Sequence, residues 1–414
     1  MRARRALVLL GCAIAWPRVG EAQSDSDSYD VKAALRSTLV VSREPDDPAL
    51  FPEGEDAIAS WRFRLMADAA PTESLRFDAA YEQRVSLASA TGSLAGFGVL
   101  PALGVAPYRL SQLEGAIVSR DGYQWSHELD RLSAEYKLGS LTLTAGRQAI
   151  GWGRGVMFSA VDLFAPFSPF EIDREWRRGI DAARAEVTFG PKLSADAVVA
   201  AGESVDSSAF VGRIRGYRGP ADFELVGGWR ARDLMVGATS SGTVGDGELH
   251  GELAVFRAPD ALPAGGQFAS RVAIKGLIGG SYRVAIGNGV LVVAEYHYSG
   301  FGAASAGEVL PLLANPAFAA RFARGDTQIL GRHALALVAS YEVSPELQLA
   351  LRWLQSPVDG SGVATPTATA TLSERLAMLA AVFVPYGSAP TGTSLRSEYG
   401  ATALSGFVQI QVSY

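Results

Sequence analysis

From about residue 33 onward, apolar and polar residues alternate with period 2 in segments of about ten residues, the length a tilted strand needs to cross a hydrocarbon layer. Trp61, Phe63, Leu65 and Ala67 interleave with Ser60, Arg62, Arg64 and Met66. Leu75, Phe77, Ala79 and Tyr81 alternate with Arg76, Asp78, Ala80 and Glu82, and Leu347, Leu349, Leu351 and Trp353 with Gln348, Ala350, Arg352 and Leu354. A dry sheet-on-sheet core would have to desolvate the paired arginines of the first segment, whereas enclosed water would not. The pattern therefore predicts strands with one face toward lipid and the other toward a wet interior.

Alternating segments fall at 33–42, 57–68, 74–86, 125–138, 141–149, 180–189, 193–202, 208–215, 221–230, 233–241, 247–257, 270–283, 289–299, 331–342, 346–356, 363–372, 376–385 and 403–414, eighteen in all. Short turns at 139–140, 190–192, 287–289, 344–346 and 373–374 interleave with long segments at 87–124, 150–178, 300–328 and 386–402. Two connections on the long side, 203–207 and 231–232, are short, so sixteen strands fit equally well if a hairpin is miscounted there. A lipid-exposed sheet edge would leave backbone groups unsatisfied, so the strands must close on themselves. The predicted fold is all-β: a closed antiparallel transmembrane β-barrel of about eighteen strands, with short periplasmic turns and long external loops.

The first 22 residues read as a cleavable signal peptide: Arg2, Arg4 and Arg5, the apolar stretch Ala6 to Trp16, then Gly20-Glu21-Ala22 at the cleavage point. A lipoprotein signal at Leu9-Leu10-Gly11-Cys12 has only six apolar residues before its cysteine, which is short for such a core. Residues 23–32 are expected as a short lead and 33–414 as the barrel, too soon after cleavage for a plug domain. Cys12 is the only cysteine, so the mature chain has neither disulfide nor thiolate metal site. Losing Arg2, Arg4, Arg5, Arg18 and Glu21 takes the formal charge from −6 to −9, which argues against nucleic acid as a partner.

The most unusual stretch is Gly146-Arg147-Gln148-Ala149-Ile150-Gly151-Trp152-Gly153-Arg154-Gly155, followed by Pro166, Pro169 and a dense charge cluster. Its glycines are not a phosphate loop, because no Gly-Lys-Ser/Thr follows and prolines replace a helix start. Segment 150–178 is instead the expected inward-folding loop, with Arg147, Arg154, Asp173, Arg174, Glu175, Arg177 and Arg178 as pore-constriction residues. Parity puts Arg62, Arg64, Arg76, Arg84, Arg131, Lys137, Arg184, Arg213, Arg215, Arg230, Arg271, Lys275 and Arg352 on the lumen wall, against Asp78, Glu82, Glu135, Glu186, Glu224, Glu248, Glu252 and Glu295. Thirteen cations facing eight anions lean toward anions, unless the charges pair across the wall and leave no field. His250 and His297 fall near Glu248, Glu252 and Glu295 on non-adjacent strands, which argues against a metal site. None of the four histidines, which include His127 and His333, sits in a nucleophile motif, so no enzyme activity is expected. Asn315-Pro316 through Gly325 predicts a capped helix in the 300–328 loop.

The Gly-Arg-Gln strand end, the charged loop, the Gly179–Ala182 restart, Ser397-Glu398-Tyr399-Gly400 and the terminal strand Phe407–Tyr414 cover about a quarter of the chain. Together they resemble porin-like outer-membrane families, including the alginate-export type. That resemblance implies a bacterial outer-membrane channel of 16–18 strands, surrounded by lipid, passing small hydrophilic and, from the wall charges, anionic solutes. It implies no cofactor, recognition of the Tyr414 strand by the barrel-assembly machinery, and leaves monomer and homotrimer both open. The many lumenal acids depart from the polysaccharide exporters and argue against an alginate-like substrate. A structural or adhesive barrel and a barrel-embedded lipid hydrolase are the alternatives.

Overall fold

The computed structural model describes residues 29–47, 51, 54–89, 107–111, 113–264, 270–392 and 394–414, so the signal peptide and most of the lead lie outside the described residues. Strands β1 to β5 are Tyr29–Arg43, Glu55–Thr72, Leu75–Ala88, Glu114–Arg120 and Tyr123–Leu138. Strands β6 to β10 are Leu141–Gln148, Ile180–Thr188, Leu193–Ala200, Ala209–Arg218 and Ala221–Arg230. Strands β11 to β15 are Asp233–Val244, Gly247–Arg257, Val272–Val284, Val290–Ser299 and His333–Ser344. Strands β16 to β19 are Leu347–Gln355, Gly362–Ser373, Leu376–Tyr386 and Leu404–Ser413.

Every neighbour pairs antiparallel, and β1 pairs β19 from Ala34↔Ser413 to Arg43↔Leu404, which closes the ring and removes both sheet edges. Eighteen strands form the wall, as the alternating segments predicted; the sixteen-strand option is excluded. The short external connections are real: β10 and β11 are joined by Ala231 and Arg232 alone, both at positive φ (46° and 73°), as a two-residue hairpin turn demands. β1 starts at Tyr29, so the end of the expected lead already belongs to the wall.

The nineteenth strand was not foreseen. β5 pairs β3 along its whole length, while on its other edge β6 covers only Leu132 to Leu138 and β4 takes Tyr123 to Glu128. β6 is short because the chain leaves the wall after Gln148 and turns into the lumen. β4 and the segment before it fill the gap, with the Asp181 amide donating to the Tyr108 carbonyl at 2.9 Å.

Alternation sorts the two faces as expected: on β1, Arg36, Thr38 and Val40 are buried while Leu35, Leu39 and Val41 face outward. The inner face, however, is not uniformly polar. Val198, Val211, Val226, Met235, Phe256, Leu354, Val363, Phe383, Phe407 and Val40 point inward from successive strands as an apolar belt. Period 2 separates inside from outside but carries no information on depth, so an inward valine reads the same as an inward arginine's neighbour. Helices α1 (Val309–Leu313) and α2 (Pro316–Ala323) lie in the 300–332 loop. The Asn315 side chain caps α2 by accepting from the Ala317 amide at 3.0 Å, as its sequence predicted.

Candidate functional site: the lumen and its inward loop

The loop after β6 crosses the lumen because the belt gives it somewhere to bury apolar surface. Trp152, Val161, Leu163 and Phe164 pack with Val198, Val211, Val226, Met235 and Phe256, and Met157, Phe158 and Ile172 with Leu354, Val363, Phe383, Phe407 and Val40. Its backbone has no ladder partner there, so its amides need other acceptors. Glu252 on β12 accepts from the amides of Arg154, Gly155 (2.9 Å), Ala160 (2.6 Å) and Val161 (3.3 Å) and from the Ser159 hydroxyl (2.8 Å). Glu295 on β14 accepts from Val156, Met157 (2.9 Å) and Phe158 (3.3 Å). Each bond to a charged acceptor contributes roughly 1.5–3 kcal/mol, so these two side chains dominate the docking.

Glycine makes this possible at two places. Gly153 has φ of +105°, and a Cβ on Gly155 would stand 2.0 Å from the Phe158 carbonyl oxygen, so the unusual glycines let the chain fold tightly enough to aim its amides at a carboxylate. On β13, Gly279 lies between His250 and Glu295 in the register, and its missing side chain lets them meet at 3.0 Å across the intervening strand. The strands are indeed non-adjacent, but the expected separation of these groups does not hold. The pair is committed to the loop, and no cluster able to hold a metal exists among the described residues.

The far end of the loop meets the opposite wall. Asp173 and Glu175 both ion-pair with the buried Arg36 of β1, and the Trp176 ring lies 3.4 Å from the Arg36 guanidinium carbon, with Arg64 at 4.9 Å and Arg62 at 5.0 Å. Arg36, Arg62 and Arg84 stand abreast on β1, β2 and β3. Arg62 (2.6 Å), Arg84 (3.0 Å) and Arg64 (3.3 Å) all share Glu82, and Arg64 (2.7 Å) and Arg131 (2.7 Å) share Asp130.

The remaining expected residues divide by where the loop puts them. Arg154 bridges Asp222 (3.0 Å) and Glu224 (2.9 Å) on β10, and Arg178 lies 3.5 Å from Glu128. Arg177 turns back on its own loop, to Asp162 and the Ala165 carbonyl, so it braces the fold of the loop. Arg174 donates to the carbonyls of Val156, Ser168 and Glu171, the last of which also takes Arg352 at 3.1 Å. Burial, and then the nearby Arg352, push Arg174 down to about 10, which leaves it charged at neutral pH. Arg147 is a correction. It lies opposite Leu132 and Asp181 on the outward parity of the wall and is bound at the rim to Asp181 (2.7 Å) and the carbonyls of Leu129 and Ser111. The Leu132 side chain beside it is 54% exposed toward the outside, so Arg147 does not line the pore.

The wall arginines of β7 to β9 are mostly neutralised. Arg184 pairs with Glu186 and Asp196 (3.0 Å), and Arg213 with Asp196 and Glu224 (3.3 Å). Among the described residues, Arg215 lies over the Tyr217 ring, 5.9 Å away, and has no carboxylate within ion-pair distance. Cross-wall pairing thus consumes much of the charge that a simple count of cations and anions leaves over. Sequence parity found Glu252 and Glu295 but not their task; the clue was a glycine-spaced segment with no phosphate-loop continuation.

No family model and no curated relative matches the sequence. Solved structures do match in fold. Acinetobacter baumannii OccAB1 superposes with a TM-score of 0.55 at 9% identity, over 95% of this chain and 98% of that one. Pseudomonas aeruginosa OccK9 (OpdG) gives 0.55 at 11%, over 93% and 98%, and Acinetobacter baumannii OccAB3 gives 0.55 at 11%, over 93% and 99%. A ring closed by its first and last strands with an apolar outer face, an interior crossed by the loop after β6, and these likenesses agree: the chain has the fold of the bacterial outer-membrane porins.

Proposed function

We propose that the protein is a diffusion channel for small hydrophilic solutes, with a preference for anions. The observation that carries the preference is the sharing of two carboxylates, Glu82 and Asp130, among five guanidiniums, Arg62, Arg64, Arg84, Arg131 and, at 3.5 Å from Asp130, Arg109, on the wall facing the inward loop. Over the whole connected network seven guanidiniums, Arg36, Arg62, Arg64, Arg84, Arg109, Arg131 and Arg178, meet six carboxylates, Glu82, Glu114, Glu128, Asp130, Asp173 and Glu175, so this sector keeps one surplus positive charge, and low-dielectric walls focus the resulting field on the aqueous path. Arg174 and Arg352, held by carbonyls and by no carboxylate within ion-pair distance among the described residues, add to the same sign. β19, ending beside Tyr414, supplies the strand that the assembly machinery would read, and the apolar outer face the surface that lipid would cover.

The test is a reversal potential across a salt gradient in planar bilayers. Wild type is expected to favour chloride over potassium, and the double variant Arg62→Gln, Arg84→Gln to lose most of that bias while still conducting. Unchanged selectivity in the double variant removes the anion reading, and absence of conductance from folded wild type removes the channel itself.

A further inference from the structure

From Arg154 to Asp162, nine consecutive backbone amides donate to side-chain oxygens. Glu252 takes the first two, Glu295 the next three, Gln328 of the external 300–332 loop takes Ser159 at 2.7 Å, Glu252 returns for Ala160 and Val161, and Ser159 Oγ takes Asp162 at 2.9 Å. Such a run has no secondary structure to hold it; its shape is that of the acceptors beneath it. It is the geometry by which backbone amides cradle an anion, turned inward, with the barrel's own carboxylates as the anions.

We propose that Glu252 and Glu295 are the positioning residues of the pore: two carboxylates that hold the lumen-crossing loop at fixed depth and thereby set the channel's conductance and quietness. They do not touch the solute. The amide donors saturate Glu252 on both oxygens, and amides together with His250 saturate Glu295. Their acceptor capacity is therefore committed to the loop, and burial beneath it keeps both carboxylates out of contact with the aqueous path. Glutamine is a poor substitute at either position, because it offers one acceptor oxygen and turns an NH2 group against amide donors. The inference rests on the channel reading only for its electrical consequence; the anchoring itself is separate.

Wild type, Glu252→Gln/Glu295→Gln, and the same variant carrying Val161→Cys with Gly237→Cys would be compared in planar bilayers. A Cβ on Gly237 would lie 3.0 Å from Val161 Cγ1, within reach of a disulfide between loop and wall, and Cys12 falls in the expected signal peptide. The glutamine variant is expected to conduct more and to flicker; oxidation of the cysteine pair is expected to restore a quiet wild-type level, and reduction to abolish the rescue. Trypsin cleavage after Arg154 in detergent-folded barrels is expected to be about tenfold faster in the glutamine variant, because lost bonds to a charged acceptor shift local opening by at least that factor. A glutamine variant as quiet and as protease-resistant as wild type overturns the proposal. If wild type does not conduct, the channel reading fails alone, and the cleavage rates still decide the anchoring.

Discussion

The two sides of the lumen use charge in opposite ways. On β12 and β14 the carboxylates of Glu252 and Glu295 are buried under the loop and saturated by its amides. On β1 to β3, Arg36, Arg62 and Arg84 stand in a row, and the last two share a single carboxylate with Arg64. One wall holds the loop and the other, on the reading proposed above, keeps a surplus of positive charge, although both are built from inward-facing ionisable residues on alternating strands. What separates them is the kind of partner each charge receives: Glu252 takes four amides and a hydroxyl and Glu295 three amides and the His250 ring, whereas Arg62, Arg64 and Arg84 all turn to the single carboxylate of Glu82.

The contrast can be broken most severely at the loop. Gly155→Val would drive a Cβ into the Phe158 carbonyl and is expected to cost about 3 kcal/mol of local stability, read as lost hydrogen-exchange protection at the amides of 154–162. Retained protection would mean that the loop does not depend on the tight fold around Glu252.

A smaller effect is expected from the collar formed where the 300–332 loop, which carries Gln328, meets the loop of Glu398. Glu398 accepts from the Gly331 amide at 2.8 Å in the same external loop, and burial pushes its carboxyl from 4.5 to about 6. A carboxyl whose folded value is raised favours the folded collar when protonated. That contribution is full below pH 4.5 and is lost as pH rises to about 6, a span worth at most about 2 kcal/mol before solvent screening. Exchange protection at Gly331 should therefore fall between those values in wild type and stay flat in Glu398→Gln; parallel profiles would exclude Glu398 as the responsible group.

On the charged wall, Asp130→Asn removes one shared carboxylate and is expected to raise the chloride-to-potassium permeability ratio a few-fold, on the order of 1 kcal/mol of barrier in a partly screened site. A ratio that stays level or falls would show that Asp130 does not hold down the field of the arginines that share it. The smallest change is expected from Arg215→Gln, whose guanidinium lies toward the ring of Tyr217 and away from the arginine row. A reversal potential within about 5 mV of wild type would sharpen the comparison, since a site screened by more than a Debye length of electrolyte contributes little. A shift as large as that of Asp130→Asn would dissolve the distinction between the two walls.

Much of this architecture was legible in the chain. Alternation placed all eighteen wall strands, the glycine-rich segment after β6 marked the inward loop, and Asn315-Pro316 marked α2. β4 was not legible, because its short run lies inside a long connection and exists only to fill the wall that β6 abandons. The sequence groups Arg147 with the glycine-rich loop, whereas it still belongs to β6 on the outward parity, and the residues around it give no cue of the capping segment near Tyr108.

The sequence alone determined which side of each strand meets lipid, since period 2 is a local property and a membrane penalises any error in it. Depth, partnership and neutralisation came only with the tertiary structure. Whether a glutamate holds a loop or faces water depends on amides about a hundred residues away, and whether an arginine carries free charge depends on how many others claim the same carboxylate. Those are counts over neighbours in space, and no pattern along the chain encodes them.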